Sequence, residues 1–171
     1  ERLKIVSERV SGQIERANGI AKNLNNLAHS VDEFNKSVDL GETLALAVGL
    51  AQRLADMRSV TLELQPPSDF PTVITSPFHL QNLIWQMLDF AMDISGNAKV
   101  VGLTIVTGTG SVEIRFTGLE GLKDPPETAF PTKREASLLE MLGATIHQDV
   151  KAGEMHLVLP RDVHQQLTDN G

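Results

Sequence analysis

The sequence predicts an α+β protein: a long N-terminal helix of a dimeric helical bundle, followed by a two-layer α/β sandwich with a mixed sheet. Apolar residues recur every seven positions over the first part of the chain, from residue 1 to about 36, the period of helices that pack along a seam. Beyond that point the patterning changes to shorter helical and alternating runs, separated by Gly and Pro clusters. The order of those runs, with strands gathered around a central amphipathic helix, predicts a sheet covered on one face by helices.

In the N-terminal arm Leu3, Val10, Ala17, Leu24 and Val31 fill one seam position, and Val6, Gln13, Ile20, Leu27 and Phe34 fill the other. Only Gln13 is polar, so the seam is continuous. Gly12 and Gly19 each cost a helix about 1 kcal/mol relative to Ala, so packing has to hold the arm together. Ile14, Ala21 and Ala28 widen the stripe beyond what a two-stranded coil needs, which suits a four-helix bundle. The expected dimer interface is Val10, Ala17, Ile20, Leu24, Leu27 and Val31. At 1.5 Å per residue the stripe runs roughly 50 Å and would overhang a domain of this size.

A second helix is predicted from Asp39 to about Met57, opened by the capping-box spacing Asp39 to Glu42. Val60 to Leu64 alternates as a strand closed by Pro66-Pro67, and Val73 to Thr75 is a short extended piece. Pro77 then starts the main core helix, with Leu80, Leu83, Ile84, Met87, Leu88 and Ala91 on one broad face. Lys99 to Val106 and Ser111 to Thr117 form a hairpin across Gly108-Thr109-Gly110, and residues 118 to 131 read as a loop. A helix over Thr132 to Leu142 ends at Gly143, and a closing hairpin joins Thr145–Val150 to Glu154–Leu159. The domains are read as 1–37 for the helical dimerisation segment, 38–160 for the sandwich and 161–171 for a fraying tail.

Composition removes several function classes. The chain has 171 residues, 41% of them apolar and 22% charged, ordinary values for a folded protein. A formal net charge of −7 with no clustered Lys or Arg argues against nucleic-acid binding. With no Cys there are no disulfides, thiolate zinc sites or cysteine nucleophiles. No apolar run approaches the roughly 20 residues of a membrane span, so no membrane insertion is expected and a cytoplasmic location is. The chain opens at Glu1 inside a helical pattern, which reads as a fragment of something longer.

Several stretches resemble sensor histidine kinases. Ile14-Glu15-Arg16-Ala17 through Asn26-Leu27 is similar to the second helix of the dimerisation and phosphotransfer domain. Val38 to Leu44 is similar to the linker into the first helix of the gyrase-type ATPase domain. Leu80 to Ala91 follows the spacing of the N-box helix, and Leu142 to Ile146 with Leu157 to Pro160 follows the family's C-terminal end. The resemblance implies the histidine kinase ATPase-like fold, yet the nucleotide positions carry other chemistry. The first N-box Asn falls on Gln86, and the second, a magnesium ligand in the family, falls on Phe90, whose ring offers no oxygen. The Asp that accepts the adenine amino group falls near Phe116, before Thr117-Gly118-Leu119-Glu120-Gly121. Where a second glycine box should cradle phosphate at a helix start, the chain reads Phe130-Pro131-Thr132-Lys133-Arg134-Glu135. Together these degenerate positions imply a pocket filled with hydrocarbon, no bound cofactor, and no ATP-dependent kinase activity in this fragment.

The resemblance therefore implies a non-catalytic signalling module that forms a homodimer and docks a response-regulator receiver domain or another signalling kinase. A variant of that reading is a histidine phosphotransferase whose acceptor His lies upstream of Glu1; the alternative is an active sensor kinase with a diverged ATP site, and another class is an interaction protein sharing only the fold. His29 lacks an adjacent carboxylate and reads as a solvated side chain rather than a phosphoacceptor. His79, His147, His156 and His164 show no metal-ligand spacing and read as surface residues, and the mixed charge runs Asp56-Met57-Arg58 and Lys133-Arg134-Glu135 read as solvated faces. The exposed side of the arm, Asn18, Lys22, Asn25, Asn26 and His29, is the expected partner contact, because so many Asn on one helix do not serve helical stability.

Overall fold

The structure, a computed structural model, describes residues 36–66, 71–123 and 130–161. The arm, with its dimer seam and partner face, and the tail beyond Arg161 lie outside the described residues.

Lys36–Asp39 forms β1, a strand absent from the sequence reading, and pairs antiparallel with β3 (Thr72–Thr75). Asp39 ends β1 and caps α1 (Leu40–Met57), its carboxylate accepting the Glu42 N–H at 2.9 Å. Pro77 opens α2 (Pro77–Asp93), where its fixed φ suits the first turn and its missing N–H costs nothing. The remaining strands are β2 (Thr61–Leu64), β4 (Val100–Thr107), β5 (Ser111–Thr117), β6 (Thr145–Asp149) and β7 (Glu154–Pro160). They form one five-stranded sheet in the order β2-β4-β5-β7-β6. The β2–β4 pair is parallel and the others antiparallel, so the sheet is mixed as expected.

Alternation decides which side of the sheet is covered. Val101, Leu103 and Ile105 of β4, Val112, Ile114 and Phe116 of β5, and Met155, Leu157 and Leu159 of β7 are buried. They face the apolar side of α2, where Leu80, Leu83, Ile84, Met87 and Leu88 are fully buried, and the Leu40, Leu44, Ala51 and Ala55 face of α1. The chain thus has the two-layer fold that the patterning predicts.

Two details position the edge of the helical layer. Gly118, with φ +83, brings its backbone against β4, and a Cβ there would stand 2.2 Å from the Val100 carbonyl oxygen, so no side chain fits. The segment expected as a plain loop contains a short 3-10 turn at Glu120–Lys123, whose Gly121 N–H donates to the Ile94 carbonyl at 3.0 Å. The last helix, α3 (Lys133–Leu142), ends at Gly143 in the left-handed conformation, as its position predicts. Arg161, read as the first residue of a fraying tail, is held by backbone bonds: its carbonyl accepts from Ile74 at 2.8 Å and its N–H donates to Gly110 at 3.1 Å.

Candidate functional site

The candidate site lies between α2, the end of β5 and the start of α3, where the sequence reading placed a degenerate nucleotide pocket. Gln86 and Phe90 are one turn apart on α2, on the flank away from α1. Gln86 is half-buried, with its side-chain amide 3.5 Å from the Asn82 side-chain oxygen, a contact within its own helix. Phe90 is half-buried and stacks on Phe130, with centroids 4.6 Å apart and planes 15° from parallel. Such a pair contributes about 0.5–1.5 kcal/mol beyond the area it buries. Phe130 precedes α3, so the stack fastens the entry to α3 onto α2. The Gln148 side chain holds the same residue from the sheet edge, donating to the Phe130 carbonyl at 2.8 Å.

Phe116 lies on the sheet, apart from these two. It is fully buried in β5 and pairs with Leu103 of β4 and Met155 of β7, so its ring is part of the core between sheet and helices. The structure therefore brings Gln86 and Phe90 together on one helix face and places Phe116 beneath, on the sheet.

The start of α3 carries its own carboxylate. Thr132 is the N-cap; Glu135 reaches back to accept the Thr132 N–H at 2.8 Å and also meets the Thr132 hydroxyl, while the Arg134 N–H donates to that hydroxyl at 3.2 Å. Glu135 is only 4% exposed. A helix N-terminus attracts anions because its first N–H groups lack partners and its dipole is positive there. Here a side chain of the chain itself supplies that anion. The capping-box spacing Thr132 to Glu135 is legible in the sequence and was the signal available for it.

At the positions that the kinase resemblance would assign to a magnesium nucleotide, Phe90 presents a stacked ring, Phe116 a buried hydrocarbon side chain and the start of α3 the Glu135 side chain. Among the described residues no group of three or more His, Asp or Glu side chains is placed to hold a metal ion, and no helix is long and apolar enough to cross a membrane.

Three readings of single residues need correction. Glu135, expected on a solvated face with Lys133 and Arg134, is buried in its capping box. Arg58 is no solvated charge: its guanidinium spans α1 to α2, meeting Asp89 at 2.8 Å, Asp93 at 3.0 Å and the Asp89 carbonyl at 3.1 Å. His156 is no simple surface residue. On the open face of the sheet its two ring nitrogens face Glu113 at 3.2 Å and Glu154 at 3.0 Å, and Arg115 bonds Glu113 at 2.9 Å. Both clusters arise from long-range pairing, which spacing along the chain does not reveal.

No protein-family model matches the chain, and no curated protein matches it in sequence. Solved structures do match in fold. The catalytic domain of histidine kinase ThkA superposes with a TM-score of 0.58 at 13% identity, over 75% of this chain and 97% of that one. The ATP-binding domain of PrrB from Mycobacterium tuberculosis gives 0.55 at 21% identity, over 75% and 97%. The Acinetobacter baumannii histidine kinase AdeS gives 0.57 at 10% identity, over 92% and 84%. At these identities the likeness establishes the fold, which is that of histidine kinase ATPase domains.

Proposed function

We propose that this chain is a non-catalytic, histidine-kinase-like signalling module that dimerises through residues 1–37 and docks a two-component partner, a response-regulator receiver domain or another signalling kinase. The observation that carries the reading is the Phe90–Phe130 stack, which sets two of the chain's own rings together at the place that the resemblance would assign to a metal ligand. The self-capped start of α3 supports it, because Glu135 already occupies the place where the dipole and free N–H groups would hold phosphate. With nucleotide chemistry set aside, the fold serves as a scaffold and binding is the mechanism. Phosphate relay remains within the same reading as a histidine phosphotransferase whose acceptor His precedes Glu1.

Partner docking is assigned to Asn18, Lys22, Asn25, Asn26 and His29, the polar side of the arm. Replacing Asn18, Lys22 and Asn25 together by Ala removes one charge and two amides while raising helical propensity. Titration of the triple variant against the receiver domains of the same genome should show at least a tenfold weaker complex, about 1.4 kcal/mol, for the receiver that binds the unaltered chain. Helix content should stay equal or rise. Unchanged affinity would remove the arm from the docking role and move the contact to the sandwich, first to the loop between Gly118 and Pro131.

A further inference from the structure

The chain enters the described structure through β1, and β1 is fastened to the domain along its whole length. Its four residues lie in register against β3, while the Ile74 N–H points the other way, to the Arg161 carbonyl at 2.8 Å. Because the N–H and C=O of one residue share a side of the strand, alternation leaves Lys36–Thr75 and Val38–Val73 as the hydrogen-bonded pairs. Val38 is also buried. β3 is thus held on both edges, by β1 on one and by Arg161 on the other, and the Arg161 N–H ties that residue to Gly110 in the β4–β5 turn at 3.1 Å.

Both long helices leave this small sheet with no slack. β1 passes into α1 with no residue between them, its last residue Asp39 capping the helix through its carboxylate and accepting the Thr43 hydroxyl on its carbonyl at 2.6 Å. At the junction the Leu40 N–H donates to the Pro71 carbonyl, just before β3, at 3.0 Å. β3 passes into α2 through Ser76 alone. At the far ends of the same two helices Arg58 bonds Asp89 and Asp93, which closes a frame of β1, α1, α2 and β3.

We propose that β1 is a rigid coupling: the sandwich follows a displacement of Lys36 as one body, with α1 and α2 turning together. A swivel needs a few residues free to change φ and ψ, and none separates β1 from α1. What acts on the chain before Lys36 therefore sets the orientation of the whole sandwich. The coupling is built from the described residues alone and stands apart from the signalling role, so the failure of either leaves the other intact.

The chain has no Cys, so labels can be placed without background. Spin labels at Ser37→Cys and Met57→Cys, both exposed positions, should give one narrow distance distribution in the full chain by pulsed dipolar spectroscopy. In the unlabelled chain the Val38 amide should exchange with deuterium at least about tenfold more slowly than in an unstructured peptide. Val38→Pro removes that N–H from the ladder and should broaden the distribution while circular dichroism shows the sandwich folded. Ser37→Pro is the matched control for exchange: the Ser37 N–H points away from β3, so protection at Val38 should persist. A broad or double distribution in the labelled chain without the proline, or a Val38 amide that exchanges at the unstructured rate, would overturn the proposal. A folded Val38→Pro chain whose distribution stays narrow would overturn it too, since the ladder would then not be what holds the joint. The first two measurements decide the matter by themselves where Val38→Pro fails to fold.

Discussion

Phe116→Asp, the substitution that returns a carboxylate to the adenine-facing place implied by the kinase resemblance, should unfold the sandwich instead of restoring recognition. Phe116 is fully buried between Leu103 and Met155, and its neighbours on the same strand, Ile114 and Val112, are buried with it. Truncating a buried Phe costs about 3–5 kcal/mol through lost transfer energy and the cavity left behind. Placing an unpaired carboxylate in that cavity adds a desolvation cost of several kcal/mol, or forces the group to take up a proton. The sum is comparable to the roughly 5–15 kcal/mol that holds a domain folded. Circular dichroism and urea unfolding of the variant should show loss of the cooperative transition at neutral pH. A folded variant with a midpoint near that of the unaltered chain would mean that Phe116 lines an open pocket, contrary to its packing.

The second large effect concerns assembly. Leu24→Asp together with Leu27→Asp should convert a dimer to a monomer while leaving the sandwich folded. Both positions belong to the predicted seam, and a two-fold interface repeats each change, so two substitutions bury four carboxylates along one contact. Like charges facing across an apolar seam cannot be hydrated without parting the helices. The domain from β1 onward has its own continuous core, built from α1, α2 and the sheet, and does not need the seam to fold. Sedimentation equilibrium reads the outcome: a dimer for the unaltered chain and a monomer with unchanged sheet content for the variant. A unaltered chain that sediments as a monomer at high concentration would remove the seam as a self-association surface.

How much of this was legible before the structure depended on the range of the interactions. Asp39 and Pro77 announced their helices because capping and first-turn geometry act within a few residues, and Gly143 announced a helix end for the same reason. The β4–β5 and β6–β7 hairpins followed from alternation around glycine turns. β1 escaped because Lys36-Ser37-Val38-Asp39 is short and mostly polar, and only pairing with β3 makes it a strand. At the site, the spacing along α2 placed Gln86 and Phe90 on one face, and the burial of Phe116 was expected from its size. Phe130 was missed as the stacking partner of Phe90 because forty positions separate them and no periodicity links them. Arg58 was missed for the same reason, its partners lying on another helix. Glu135 is different: its capping-box spacing was visible, and its meaning became clear only once the helix start was seen to face the site.

The central claim, a kinase-like fold whose pocket is closed to nucleotide by its own side chains, is tested most directly by calorimetric titration with a non-hydrolysable ATP analogue and magnesium. The chain should give no saturable heat, and Phe90→Asn, which reopens one metal-ligand position at the cost of the stack with Phe130, should give none either, because Phe116 and Glu135 remain in place. Saturable, magnesium-dependent binding in the micromolar range, about −8 kcal/mol, would contradict the account and return the chain to the nucleotide-binding kinases.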